Sequence, residues 1–176
     1  MEKYNPTEYL LKIQKIKYSK ASIAIILIFA GFAINFIYPL SFVKYLSLLG
    51  LIFYIIISLK YHIKKNIPPE EQNIVLSPIY GIIKEIDLNT KSITIKKSIL
   101  SPADFRCGTD DKNIKFEIEF GELTNFEDHS KIPGKLTGIL PLSALVICRL
   151  TNVYEIVIQE NQKVVSGETV IARKRT

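Results

Sequence analysis

Two long runs without a charged residue dominate the first third of the sequence. The first extends from Ala21 to Val43, and the second extends from Tyr45 to Leu59. A bilayer core of about 30 Å needs roughly 20 apolar residues in a helix, so the first run is long enough to cross it. Lysines flank the second run and can lengthen its reach by snorkelling to the interface. The sequence therefore predicts a membrane-embedded helical hairpin over residues 20–59, with helices at about 20–38 and 42–59.

Lysines are concentrated on both sides of this predicted hairpin. Residues 1–65 contain nine Lys and two acidic residues, a balance of +7, whereas residues 66–176 contain fourteen Lys or Arg and fifteen acidic residues, a balance of −1. The positive-inside rule places basic flanks in the cytoplasm. We therefore expect both flanks and the C-terminal domain to face the cytoplasm. A single span followed by an exported domain is the alternative topology.

The distribution of charge also indicates which partners to expect. Lysines near anionic head groups contribute roughly 1 kcal/mol each, so a phospholipid membrane is the expected partner of the basic N-terminal part. A nucleic-acid partner is not expected, because the C-terminal part lacks the clustered Arg and aromatic platforms of such sites. The two cysteines and two histidines, Cys107, Cys148, His62 and His129, do not have the spacing of metal ligands, and no metal site is expected.

The sequence divides into four regions around the hairpin. Residues 1–19 alternate apolar and basic positions, which is typical either of an amphipathic helix on the membrane surface or of the solvated start of the first helix. Residues 60–73 form a polar linker that contains Pro68 and Pro69. Residues 74–176 show short β-type runs separated by turn residues, with weak helix signals. We therefore predict a mainly β domain over residues 74–176.

Several strands can be placed within this domain. Ile79–Ile86 and Ser92–Lys96 flank the turn residues 87–91 and predict a β-hairpin. Lys115–Phe120 alternates strictly, which predicts that Phe116, Ile118 and Phe120 share one buried face. Further strands are predicted within 139–150, 153–158, 163–165 and 169–172, with turns at Asn161 and Ser166-Gly167.

Three segments of the β region resemble motifs of the short, membrane-bound bacterial phosphatidylserine decarboxylases. Ser77–Gly81 is similar to the family's Ser-Pro-Ala-Asp-Gly motif, and Leu100–Arg106 is similar to its Leu-Ser-Pro-Phe-Asp-Val-His motif. Gly167–Ala172 is similar to the family's C-terminal tail. The resemblance implies a membrane hairpin followed by a mainly β domain of phosphatidylserine-decarboxylase-like type. It also implies a place in phospholipid metabolism at the bacterial inner membrane.

The residues that carry the family's chemistry are replaced in this sequence. In the family, a serine attacks the preceding carbonyl, the chain breaks through an ester, and elimination leaves a pyruvoyl group that forms a Schiff base with the substrate. Aligned from the tail, that serine falls on Ala144, which has no side-chain oxygen. The family's aspartate falls on Tyr80, whose phenol has an ordinary pKa of about 10 and is a poor base at pH 7. The family's histidine falls on Arg106, which stays charged and cannot shuttle protons.

The resemblance therefore implies a catalytically inactive relative that does not process itself and has no cofactor. Its candidate ligand-binding residues are Tyr80, Asp104 and Arg106, and its partners would be a phospholipid head group, including an anionic one, or another protein. Two of these residues also have simpler interpretations. Asp104 is in a position to form an Asx-type turn after Pro102, and Tyr80 is a plausible packed strand aromatic.

Two other functions stay open from the sequence. A shift of one residue would make Ser143 the nucleophile, attacking the carbonyl of Leu142, and would give an active decarboxylase with a pyruvoyl cofactor that produces phosphatidylethanolamine. Alternatively, the turn at Val164–Thr169 is shared with lipoyl-like β domains, which predicts a membrane-tethered adaptor. Such adaptors usually carry long helical hairpins and a domain outside the cell, whereas no segment after residue 66 predicts a long helix.

Overall fold

The computed structural model of the chain describes residues 6–38, 41–126 and 132–175. The chain divides into two compact units, a helical unit over Met1–Tyr61 and a β unit over His62–Thr176. The predicted order, two apolar helices followed by a mainly β domain, is confirmed.

The helical unit contains α1, Pro6–Ile37, and α2, Ser41–Lys60. Their apolar parts have mean hydropathies of 2.1 over Tyr9–Ile37 and 1.8 over Val43–Lys60, so by length and composition both helices can cross a membrane. From Pro6 onward, the basic N-terminal segment is the first part of α1. Residues 1–5 and the predicted break at residues 39–40 lie outside the described residues.

Small residues bring α1 and α2 close together. A Cβ added to Gly31 would collide with the side chain of Ser47, and one added to Gly50 would lie 2.9 Å from the carbonyl oxygen of Ala24. Large apolar side chains, among them Phe29 and Phe36, are instead exposed. Close contact through small residues together with an apolar outer surface is typical of helix pairs in lipid.

The β unit contains eleven strands in the part of the chain that is described. In chain order they are β1 Ile74–Leu76, β2 Gly81–Asp87, β3 Ser92–Lys97, β4 Asp104–Arg106, β5 Lys115–Phe120, β6 Thr124–Asn125, β7 Leu136–Ile139, β8 Ala144–Arg149, β9 Tyr154–Ile156, β10 Lys163–Val164 and β11 Val170–Lys174. They form three antiparallel sheets with the orders β1-β11-β9, β10-β2-β3-β8-β5 and β4-β7-β6. The predicted hairpin is confirmed, because β2 pairs with β3.

The core of the β unit lies on one face of the five-stranded sheet. Side chains alternate across a strand, so Ile93 and Ile95 of β3 point inward together with their partners Cys148 and Val146 of β8. All four are fully buried, and they pack with Ile83 of β2. Burial of these apolar side chains, at roughly 25 cal/mol per Å², is the main source of stability of the domain.

One prediction about this core is wrong. Phe116 and Ile118 pack against the core as expected, but Phe120 is 61 % exposed. The pairing of β5 with β8 shifts between Ile118 and Phe120, which is the signature of a β-bulge. A bulge inserts one residue and turns the following side chains to the other face of the sheet, so the strict alternation in the sequence does not continue in the structure.

Candidate functional site

The β unit contains an open cavity of about 960 Å³, which we call the lysine cavity. Four lysines line it, Lys64, Lys96, Lys97 and Lys163, and no acidic residue is among its lining residues. Tyr80 and Ser143 also line it, and much of the remaining wall is apolar, with Ile82, Ile99 and Val164 among its residues. The cavity therefore combines positive charge with an apolar surface.

Strand register brings two of these lysines to the same face. Lys163 of β10 lies opposite Ile82 of β2, and Ile82 lies opposite Lys96 of β3. Residues directly opposite in neighbouring strands share one face of a sheet, so the two lysines flank Ile82 on the side away from the core. Lys64 is contributed by the linker that follows the helical unit.

The ammonium groups of Lys64, Lys96 and Lys163 have no acidic partner within the described parts of the chain. The three ion pairs between described residues join Arg106 to Asp104, Arg149 to Glu117 and Arg173 to Glu71. Unpaired cations around an apolar cavity favour an anionic ligand, because such a ligand can neutralise them without displacing an existing partner.

Lys97 is the fourth lysine and lies at the inner wall of the cavity with its side chain buried. Its Nζ donates to the carbonyl oxygens of Ser98 at 3.2 Å, Ser101 at 3.1 Å and Leu142 at 3.3 Å. Burial lowers the pKa of Lys97 from its ordinary value of 10.5 to about 8, and the nearby charge of Asp104 acts in the opposite direction. An ammonium has three N–H donors, and these three carbonyls match them. Lys97 thus joins the loop after β3 to the segment before β8.

Tyr80 is both a packed aromatic and part of the cavity wall. Its side chain is buried, and its hydroxyl donates to Oδ1 of Asn66 at 2.7 Å. Burial, assisted by the negative charge of Asp104, raises the pKa of Tyr80 to about 12. The phenol is therefore neutral at pH 7, and the fraction present as phenolate, the form that could accept a proton, is even smaller than for an ordinary tyrosine.

Asp104 and Arg106 form a buried ion pair and do not line the lysine cavity. Arg106 donates through Nε to Oδ2 of Asp104 at 3.1 Å, through Nη1 to the carbonyl of Gly134 at 3.0 Å and through Nη2 to that of Lys64 at 2.9 Å. Burial raises the pKa of Asp104, whereas the charge of Arg106 lowers it. The expected Asx-type turn after Pro102 is wrong, because Asp104 lies in β4 and its carboxylate pairs with Arg106.

Ala144 and Ser143 lie where β8 begins. Ala144 is buried and lies opposite Lys97 in the register of β3 and β8. Ser143 is half-buried and lines the cavity, next to the Leu142 carbonyl that accepts a hydrogen bond from Lys97. Of the residues predicted from the sequence, Tyr80 and Ser143 thus line one cavity, Ala144 is adjacent to it in the chain, and Asp104 and Arg106 form a separate buried pair.

The three segments that carry the family resemblance meet in the structure. The backbone N–H of Gly167 donates to the carbonyl of Ser77 at 2.7 Å, and that of Ser77 donates to the carbonyl of Thr169 at 2.9 Å. The N–H of Arg106 donates to the carbonyl of Pro78 at 2.9 Å. The segments at 77–81, 100–106 and 167–172 therefore form one local structure, held by their backbones.

The four lysines were not recognised as site residues from the sequence. One signal was present, because Ile93, Ile95 and Lys97 occupy alternate positions of one strand and therefore share the inward face. A lysine on the same strand face as two buried isoleucines is unusual, because a charged side chain is rarely buried, and it could have indicated a site residue. The other three lysines give no such signal, because each is an ordinary exposed lysine in its own segment.

Comparison of the chain with models of protein families, with curated proteins and with solved structures finds no match.

Proposed function

We propose that this chain is a membrane-anchored, non-processing relative of the phosphatidylserine decarboxylases, and that its β domain binds an anionic phospholipid head group. The observation that carries the proposal is the lysine cavity. Lys64, Lys96 and Lys163, which have no acidic partner among the described residues, and the buried Lys97 surround a partly apolar space of about 960 Å³. This size is typical of small-molecule sites. A head group supplies a phosphate for the lysines, and the start of the acyl chains supplies apolar surface for the wall.

The chain itself supports a location beside a membrane. Lys60 ends α2, and Lys64 lines the cavity four residues later. Four residues extend over at most about 14 Å, so an α2 embedded in lipid keeps Lys64 within that reach of its end, whatever the arrangement of the two units. The basic flanks favour a bacterial inner membrane with the β domain facing the cytoplasm. Lipid head groups would therefore lie close to Lys64.

The absence of processing follows from the chemistry of the replaced residues. Ala144 has a methyl group where the family has the serine that breaks the chain. The phenol of Tyr80 stays protonated, and the guanidinium of Arg106 is engaged by Asp104 and two carbonyls. Because the matching positions hold neither a nucleophile nor a proton acceptor, we propose binding and not self-processing as the function.

We expect the purified full-length protein to remain a single chain of 20.1 kDa. Denaturing gel electrophoresis and intact-protein mass spectrometry check this, and treatment with borohydride or hydroxylamine should leave the mass unchanged. Cleavage near residue 143 into two chains, with a pyruvoyl group at the N-terminus of the C-terminal chain, would contradict the proposal. An assay for phosphatidylethanolamine in liposomes that contain phosphatidylserine should likewise give no product.

Head-group binding is tested with a water-soluble short-chain phosphatidylserine. We expect the Lys96→Glu/Lys163→Glu variant to bind this lipid at least about thirtyfold more weakly than the wild type, because two lysines at roughly 1 kcal/mol each give about 2 kcal/mol. Isothermal titration calorimetry on the full chain in a non-ionic detergent measures the change. The matched control is Lys91→Glu/Lys112→Glu, which alters the net charge equally outside the cavity.

Two further ligands separate the sources of phosphate. Inorganic phosphate tests a simple anion site, and short-chain phosphatidylcholine tests a head group without net charge. Binding of inorganic phosphate as tightly as of phosphatidylserine would contradict a lipid site, and equal losses in the two double variants would contradict the assignment to the lysine cavity.

One observation favours a second candidate, an active decarboxylase that processes itself at Ser143. Lys97 donates a hydrogen bond to the carbonyl oxygen of Leu142, the carbonyl that Ser143 would attack. A cation at that oxygen stabilises the negative charge that develops during such an attack. If the gel shows two chains, the Ser143→Ala variant should restore the single chain, and Lys97→Met should slow the cleavage.

A further inference from the structure

We infer that one end of the five-stranded sheet is a membrane-contacting face, formed by Ile82, Lys96, Ile99, Leu100 and Lys163, that lies against the anionic surface of the bilayer. The inference rests on the proposed membrane anchorage and goes beyond it, because it assigns the surface of the β domain that touches lipid. Four of the five residues also line the lysine cavity, so the face forms its rim.

The strand register places the charged and apolar side chains together. Lys163, Ile82 and Lys96 lie opposite one another on β10, β2 and β3, on the outer face of the sheet. Ile99 and Leu100 follow β3 after one intervening residue, Ser98, at the same end of the sheet. The backbone on either side of Ile99 and Leu100 is held in place, because the Lys97 ammonium donates to the carbonyls of Ser98 and Ser101. Two apolar side chains are thus presented on a loop whose base is held in place.

Exposure of these side chains is high for apolar residues. Leu100 is 79 % exposed, Ile99 52 % and Ile82 44 %. Exposed apolar residues that stand singly are common. Here three lie at one end of the sheet, together with two lysines that have no acidic partner among the described residues. Apolar side chains that enter the boundary of the acyl chains, together with lysines at the level of the head groups, are the usual composition of a surface that binds at a membrane interface.

Acidic residues on the same strands lie away from this end. On the outer face of β2, Glu85 lies opposite Thr94 and Asp87 lies opposite Ser92, both further along the hairpin towards its turn. The face itself therefore has two positive charges without a neighbouring carboxylate in its own row, and the negative charges are displaced towards the other end. This polarity matches an anionic bilayer. We take lipid as the occupant because the two apolar helices that precede the domain are long enough to cross a membrane.

Tryptophan fluorescence can test the inference on the full chain, because the sequence contains no Trp. A single Leu100→Trp substitution places a probe on the face, and Leu88→Trp is the matched control. Leu88 is 67 % exposed and lies in the turn at the opposite end of the β2–β3 hairpin. The strands between the two positions have six to seven residues, so the two probes are separated by roughly 20 Å. Both substitutions are at exposed positions and spare the core.

Each variant is reconstituted into vesicles of brominated phosphatidylcholine, alone or mixed with phosphatidylglycerol. We expect the Leu100→Trp emission to shift to the blue and to lose most of its intensity to the bromine atoms. The Leu88→Trp emission should stay at the wavelength of a water-exposed indole and respond only to an aqueous quencher such as iodide. The readout does not depend on which way the protein inserts, because the β domain has a bilayer surface beside it in either orientation.

The outcomes separate this inference from the proposed function. Equal emission and equal quenching for the two probes, whether both are in lipid or both are in water, would overturn the membrane-contacting face. Binding of soluble phosphatidylserine is measured without a bilayer and would be unaffected by that result. Adding Lys96→Glu/Lys163→Glu to the Leu100→Trp variant should reduce the bromine quenching in vesicles with phosphatidylglycerol. Unchanged quenching there would overturn the role of the two lysines.

Discussion

Replacing Arg106 by Leu is expected to destabilise the β domain by about 3–5 kcal/mol, because it leaves the Asp104 carboxyl buried without its partner. The Asp104 side chain is fully buried, and its Oδ1 already has no hydrogen-bond partner within the described residues. Arg106 also donates to the carbonyls of Gly134 and Lys64, so the substitution removes one of the hydrogen bonds that hold the linker to the domain. Urea unfolding of the full chain in detergent, followed by circular dichroism of the β structure, measures the loss.

The surface ion pair between Arg149 and Glu117 provides the control. Its Nε–Oε2 distance of 2.9 Å is shorter than the 3.1 Å of the buried pair, but the two side chains are 52 % and 47 % exposed. Arg149→Leu should therefore cost no more than about 1 kcal/mol. A double variant, Asp104→Leu/Arg106→Leu, should recover a large part of the loss, since it removes the unpaired carboxyl as well. Equal effects of Arg106→Leu and Arg149→Leu would contradict the structural role of the buried pair.

The decrease in the free energy of unfolding of the Arg106→Leu variant should also depend on pH. Burial raises the pKa of Asp104, and the substitution removes the positive charge that lowers it. In the variant, the folded state therefore holds the proton to higher pH than the unfolded state does. Stability is then highest at acid pH and falls as the pH rises from the unfolded-state pKa, about 3.9, through the raised folded-state value. A destabilisation that does not change over this range would show that the carboxyl is not the cause.

Replacing Gly167 by Ala is expected to lower the free energy of unfolding of the β domain by about 2–5 kcal/mol, because two independent penalties add. Gly167 has a φ of +70°, a conformation that costs an L-residue roughly 1–2 kcal/mol. In addition, a Cβ at this position would lie 2.6 Å from Cδ of Arg106 and 3.2 Å from Cα of Gly134. Arg106 cannot move away freely, since its guanidinium is held at three points, and overpacking of this kind typically costs about 1–3 kcal/mol.

Asn161→Ala isolates the backbone part of this cost. Asn161 has a φ of +64° at an exposed turn, so the substitution places an alanine in the same left-handed conformation. Its expected cost is about 1 kcal/mol. Thermal unfolding followed by circular dichroism compares the two variants in the same detergent. If Gly167→Ala is no worse than Asn161→Ala, then the contact with Arg106 does not constrain the turn.

The segments that could be placed from the sequence are those defined by local patterns. The apolar runs gave the two helices, and alternation with turn residues gave the β2–β3 hairpin and β5, because period and turn chemistry act within a few residues. The position of Phe120 could not be predicted in this way. A bulge depends on how β5 pairs with β8, a strand more than twenty residues later in the chain.

The lysine cavity could not be predicted from local patterns either. Its lysines come from the linker and from two strands, and Lys64 and Lys163 lie at opposite ends of the β unit's sequence. Only the order β10-β2-β3 brings Lys163 beside Ile82 and Lys96. The pairing of Asp104 with Arg106 was also missed. The sequence favoured an Asx-type turn at Asp104 and offered both residues as ligand-binding candidates, because nothing in the segment itself shows that the two side chains are buried together.

The sequence alone determined the two apolar helices, the basic flanks and the mainly β character of the C-terminal domain, since each of these is a property of neighbouring residues. The tertiary structure decided which lysines face a common cavity, which aspartate is buried against which arginine, and which apolar side chains remain exposed at its rim. The physical reason is that strand pairing joins residues far apart in the chain, and the charges and cavities that it creates are properties of the pairing and not of any one segment.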